Sequence, residues 1–177
     1  MPEKEKITVI KIFIAGEGGV GKTTLVERLT KDRFVTDTIL TIGVQHTLHN
    51  MISKSGKKYV FQIWDLGGED RFKFIVPMYV KGSSGGIIVF DESRYPTYKN
   101  LPDWIELVKK DYNPKAPLIL ISTKSDLIDT PLMSEDEKND LLTRYNLTGY
   151  YRTSSKSGFN VKDLFRDLLE IIIRENY

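Results

Sequence analysis

Gly16-Glu17-Gly18-Gly19-Val20-Gly21-Lys22-Thr23 is the stretch that decides the fold. It has the spacing G-x-x-x-x-G-K-[ST]. The apolar, β-branched run Ile7 to Ala15 precedes it and reads as a buried strand; a helical stretch from about Lys22 to Lys31 follows. Glycines let a backbone wrap closely, so that several N–H groups point at phosphate oxygens. The helix start adds the positive end of its dipole. Lys22 supplies a fixed charge toward β- and γ-phosphates, and the Thr23 hydroxyl is a ligand for Mg²⁺, with Thr24 beside it in the same cradle. A random match in a chain of this length is on the order of 1%, and a chance glycine turn would not sit between a strand and a helix.

Working outward, Thr41 to Ser53 and Lys57 to Asp65 alternate as two strands, and the Lys54-Ser55-Gly56 turn between them predicts a hairpin. Residues 69 to 81 read as a short, irregular helix interrupted by Pro77. Gly86 to Phe90 and Pro117 to Ser122 are further buried strands, and Leu101 to Lys110 has helical spacing. Ser134-Glu135-Asp136-Glu137 is a capping box ahead of a helix to about Tyr145. Tyr150 to Thr153 is a last strand, and Val161 to Arg174 a helix with Val161, Leu164, Phe165, Leu168, Leu169 and Ile172 inward. Strands alternating with helices predict an α/β fold: a mostly parallel sheet of about six strands, one antiparallel edge strand and about five helices. The ligand is expected at the C-terminal ends of the parallel strands, where strand order reverses. With no repeat, low-complexity segment or linker, residues 1–177 are expected to form one domain.

Composition narrows the classes. The 177 residues carry a net charge of +2, which points neither to nucleic acid nor to an acidic membrane surface. The absence of cysteine excludes disulfides, thiolate metal sites and thiol catalysis, and fits a cytoplasmic protein. Nothing in the sequence reads as a targeting segment, a membrane span or a prenylation or myristoylation signal, so membrane association is expected only where a partner supplies it. His46 and His49 lack a third ligand for a metal, and Lys57-Lys58 reads as a charged turn.

Two further motifs refine the ligand. Thr123-Lys124-Ser125-Asp126 follows the strand Pro117 to Ser122. A carboxylate there can accept two N–H bonds, from N1 and the 2-amino group of guanine, while the Lys124 stem packs over the base; adenine offers a different edge. Trp64-Asp65-Leu66-Gly67-Gly68 ends the second hairpin strand. Asp65 can hold Mg²⁺ directly or through water, and the Gly68 N–H can approach a γ-phosphate because no side chain blocks it.

Together these motifs resemble the Ras-like small GTPases, a branch of the P-loop NTPases, and most nearly their Rab-type members. The likeness runs in order over nearly the whole chain. Thr41-Ile42-Gly43-Val44 resembles switch I, whose Thr binds Mg²⁺ and the γ-phosphate, and Asp65 to Gly68 with Glu69-Asp70-Arg71-Phe72 resembles switch II. Thr123 to Asp126 resembles the base motif; Thr153-Ser154-Ser155-Lys156 resembles the loop whose backbone meets the guanine O6. Phe34 falls where the family places an aromatic edge against the base, and Thr38 where many members place a Tyr over the phosphates. The resemblance implies a monomeric GTP/GDP switch, read by effectors through Thr38–Val44 and Asp65–Tyr79 and served by an exchange factor and a GTPase-activating protein, in trafficking or signalling. Trp64 and Tyr79 match two members of an aromatic cluster that Rab-type proteins show to effectors; the third falls on His46.

The departures bear on rate. Glu69 stands where the family has its water-positioning Gln, and an ionised Glu accepts but cannot donate. Gly67-Gly68 is nearer Arf-type and heterotrimeric α-subunit switches, and Thr123 replaces Asn as in Rho-type members. No Arg precedes Thr41 at the spacing of a cis arginine finger. Ras alone hydrolyses GTP at roughly 10⁻⁴ s⁻¹ and gains roughly 10⁵-fold from an arginine in trans, so the resemblance implies slow unassisted hydrolysis, with Lys22, Thr41, Gly68 and Glu69 as the catalytic set. A GTP-bound scaffold that does not hydrolyse is the alternative. A nucleotide kinase would need an arginine-rich lid and an acceptor pocket, and no segment resembles either.

Overall fold

Strand β1 (Thr8–Gly16) divides the molecule through its alternation. Ile10, Ile12 and Ile14 turn to one face and Phe13 and Ala15 to the other, and the two sets are buried in separate cores. The structure, a computed structural model, describes residues 7–36 and 39–176.

Six strands form one sheet in the order β2-β3-β1-β4-β5-β6: β2 (Val44–Ile52), β3 (Lys58–Leu66), β4 (Gly85–Asp91), β5 (Leu118–Thr123) and β6 (Gly149–Arg152) join β1. All neighbours are parallel except β2 and β3, the antiparallel hairpin, which makes β2 the edge strand. Helices α1 (Lys22–Lys31) and α6 (Val161–Asn176) cover one face, with Leu25, Leu29, Phe165 and Leu168 meeting the β1 isoleucines. Helices α2 (Val76–Val80), α3 (Tyr95–Lys99), α4 (Leu101–Lys109) and α5 (Glu135–Arg144) belong to the other side, where Val80, Trp104, Ile105 and Leu141 pack with Phe13. Only Asn100 separates α3 from α4, so the helical regions number five among the described residues.

Chain direction places the site. β1 has β3 on one side and β4 on the other. Strand order therefore reverses at β1, and its C-terminal end, Gly16, opens into the crevice where such sheets take ligands.

The structure corrects two expected elements. β2 begins at Val44 and not at Thr41: Gly43 has φ +74°, which breaks the extended backbone, and Thr41 turns inward and is buried. Pro77 does not interrupt a helix but lies in the first turn of α2, where its missing N–H has no intrahelical partner to lose; a 3₁₀ helix, Asp70–Ile75, precedes it. The capping box forms at α5: Ser134 Oγ accepts from the Glu137 N–H at 3.3 Å, and the Ser134 N–H donates to the Glu137 carboxylate at 2.8 Å.

Candidate functional site

The loop between β1 and α1 folds around its lysine. Lys22 is 5% exposed, and its Nζ donates to the Gly16 carbonyl at 2.7 Å and the Glu17 carbonyl at 2.8 Å. Burial lowers its pKa to about 8, partly opposed by Asp65 and Glu17. Val20 faces the core, and its carbonyl accepts from Thr123 Oγ1 at 2.5 Å, tying the loop to the end of β5. Glu17 contributes backbone to the cradle; its side chain turns outward and accepts from Asn100 Nδ2 at 3.0 Å.

Three elements bring oxygen ligands to one point. Thr23 from α1 lies with its Oγ1 2.7 Å from Thr41 Oγ1 and donates to Asp65 Oδ2 at 2.5 Å. Asp65 Oδ1 is buried without a hydrogen-bond partner, and burial raises the Asp65 pKa. A buried carboxylate oxygen without a partner is costly, and a hard cation would satisfy it. Two hydroxyls and a carboxylate are the donor chemistry Mg²⁺ takes, with waters completing its shell, so these residues fit the ion.

The switch II glycines leave no room for side chains. A Cβ on Gly68 would lie 2.3 Å from the Glu17 carbonyl carbon and 2.4 Å from Gly16 O and Gly18 N. A Cβ on Gly67 would lie 2.8 Å from the Thr41 and Gly43 carbonyl oxygens, and the Gly67 N–H donates to Gly43 at 2.7 Å. Gly67-Gly68 thus wedges between switch I and the phosphate loop. Glu69 follows, its carboxylate paired with Arg71 Nε at 2.7 Å.

At the far end, Asp126 accepts from Ser154 Oγ at 2.6 Å, which fixes one carboxylate oxygen. The Ser125 N–H donates to the Thr153 carbonyl at 3.1 Å, joining the base motif to the Thr153–Lys156 loop. Lys124 reaches back to the phosphate loop, with Nζ 3.4 Å from the Gly19 carbonyl.

One cavity of about 500 Å³ joins these parts. Gly18, Gly19, Gly21, Lys22, Thr23 and Thr24 wall its phosphate end. Thr41, Gly68 and Glu69 close one side, and Phe34, Thr123, Lys124, Asp126, Ser155 and Lys156 line the base end. Gly16, Glu17, Val20, Asp65 and Ser154 stand behind this wall and hold it through the contacts above. Thr38 lies outside the described residues. Motif reading did not find Ile39, Leu40 and Leu127, apolar residues that also line the cavity. It also missed Asp91 and Arg94, which belong to no motif; an acidic residue closing an otherwise apolar strand was the one signal available for Asp91.

Comparison with known proteins agrees with this geometry. The sequence model described as "Ras family" matches residues 11–174. The chain belongs to the Ras family. Among Ras-family relatives it is 32% identical over 165 residues to the Ras-related protein SEC4 of Saccharomyces cerevisiae, covering 93% of this chain and 75% of that protein. It is 31% identical to the Ras-related protein Rab-13 of Bos taurus, over 93% of this chain and 80% of the relative. It is also 31% identical to the Ras-related protein Rab-11A of Dictyostelium discoideum, over 94% and 77%. This Ras-family chain is a GTP-binding switch and a GTP hydrolase of Rab type.

Proposed function

We propose that the cavity holds GTP with Mg²⁺, and that residues 1–177 work as one domain whose two switch segments report which nucleotide is bound, in trafficking or signalling. The observation that carries the assignment of roles is the meeting of Thr23, Thr41 and Asp65 around an unpaired carboxylate oxygen, in a cavity whose other end presents the held carboxylate of Asp126. Lys22 and the loop amides bind and orient the β- and γ-phosphates. Mg²⁺, when bound, neutralises charge on the phosphate oxygens. Thr41 carries switch I to the phosphate end and Gly68 carries switch II there, so losing the γ-phosphate releases both segments.

Glu69 occupies the wall between the cavity and solvent, where a residue can orient an attacking water. As a carboxylate it accepts from that water, and its ion pair with Arg71 offsets the charge it brings near the phosphates. Effectors would read the switch surface. There His46, Trp64 and Tyr79 form a ring cluster, with centroids 4.8 Å apart for His46–Trp64 and 5.1 Å for Trp64–Tyr79, and Ile42, Phe74 and Met78 of the same two segments are exposed. An exchange factor and a GTPase-activating protein are the regulators that slow release and slow hydrolysis call for. No helix among the described residues is long and apolar enough to cross a membrane.

Single-turnover hydrolysis tests the reading. The unaltered protein is expected to release phosphate over hours. Glu69→Ala should slow it by about tenfold or more, near 1.4 kcal/mol, while Glu69→Gln, which also accepts from water, should keep the rate within about tenfold. A protein that holds GTP and releases no phosphate would support the scaffold reading in its place.

A further inference from the structure

We propose that Arg94 is a positioning residue for the nucleotide: an arginine of this chain that grips the outer side of the phosphate loop and sets how long GDP and GTP stay bound. The proposal rests on the nucleotide-binding reading of the cavity.

The structure builds this grip on one buried carboxylate. Asp91 ends β4 with its side chain fully buried. Its Oδ1 accepts from the Ser93 N–H at 2.9 Å and from Ser93 Oγ at 2.6 Å. Its Oδ2 faces two cations, Lys124 Nζ at 2.6 Å and Arg94 Nε at 3.0 Å. A buried carboxylate needs such partners, and this one holds both cations in fixed places.

Both cations then reach the phosphate loop. Arg94 Nη2 donates to the Gly18 carbonyl at 2.9 Å, and Lys124 Nζ to the Gly19 carbonyl at 3.4 Å. A Cβ placed on Gly19 would sit 3.7 Å from Arg94 Nη2, so the guanidinium lies against that residue. A trans peptide is planar, with its C=O and N–H pointing in opposite directions. Holding the Gly18 carbonyl outward therefore turns the Gly19 N–H the other way, and holding the Gly19 carbonyl does the same for the Val20 N–H. The residues around these amides line the phosphate end of the cavity. The planar fork of arginine bonds Asp91 and Gly18 at once; a lysine offers a point charge on a flexible stem. Two cations on one carboxylate also leave a net positive charge beside the phosphate chain.

Consequently Arg94 acts on nucleotide release, and Asp91 couples it to the base-reading lysine. The test loads the protein with a fluorescent GDP and follows release into excess GDP for the unaltered chain, Arg94→Ala and Arg94→Lys. Arg94→Ala is expected to release GDP about tenfold faster, with association unchanged. Arg94→Lys should recover less than half of that effect on a logarithmic scale. Competition by GMP, which lacks the β-phosphate, should be unchanged in both variants. Unchanged GDP release from Arg94→Ala would overturn the proposal, as would an equal weakening of GMP, the mark of a general loosening of the fold. If the unaltered protein held no GDP, the reading of the cavity itself would fall with it.

Discussion

In the proposed role, Asp126 would gain its discriminating power from being held. Ser154 Oγ fixes one carboxylate oxygen at 2.6 Å, and the loop bearing Ser154 is itself tied to the base motif. A ligand whose edge cannot donate two N–H bonds leaves this carboxylate short of partners, a penalty that can reach a factor of roughly 10⁴. Asp126→Ala is expected to cut GTP affinity at least 100-fold and to bring it toward that for ATP; competition titration with both nucleotides checks it, and a variant that still prefers GTP strongly would disprove the role. At this scale the sequence was readable where motifs group residues: Thr23 and Asp65, far apart in the chain, do meet, and Lys22 is buried in its own loop. It was silent on Asp91 and Arg94, whose partners are peptide carbonyls that any sequence can provide. Nor does anything local announce Asn100, far along the chain, as the hydrogen-bond partner of Glu17.

Elements differ in how plainly they show themselves. The parallel strands β1, β4 and β5 are covered on both faces and appear as unbroken apolar runs, hence their ready recognition. Helix α3 escaped notice because five residues with Pro96 inside show no helical period; what holds it is Thr97, whose buried Oγ1 accepts from the Asp91 N–H at 3.0 Å. The start of β2 was misplaced because Thr41 reads by composition as strand, whereas its hydroxyl turns inward to meet Thr23 and Asp65. Helix α5 gives the clearest local test. Its few buried residues leave much of its order to the capping box. Ser134→Ala should therefore destabilise the protein by about 1 kcal/mol, read as a lower denaturant midpoint at unchanged slope, whereas Ser134→Asp should stay close to the parent.

On the scale of the whole molecule, the two cores do different work. The core holding Phe165, Leu168 and the β1 isoleucines is closed by the long α6 and keeps the sheet's shape. The other core includes Leu66 and Val76, which lie within the Asp65–Tyr79 stretch, so its edge is where movement of switch II would meet fixed packing. Both of the chain's tryptophans belong to that second core. Trp104 lies 2% exposed in the interior of α4, while Trp64 packs against Tyr79 of α2 with its indole N–H lacking an acceptor. A shift of α2 and the 3₁₀ helix before it changes the surroundings of both indoles, because Trp64 packs on Tyr79 and Lys73 Nζ lies 5.2 Å from the Trp104 ring. The emission spectrum of the protein should thus differ between its GDP- and GTP-loaded forms. Trp64→Phe and Trp104→Phe should each reduce the difference, and the two spectra apportion it between the indoles. An indole stationed on the border between rigid and movable halves makes the protein its own gauge, able to display its cycle in real time without an added dye.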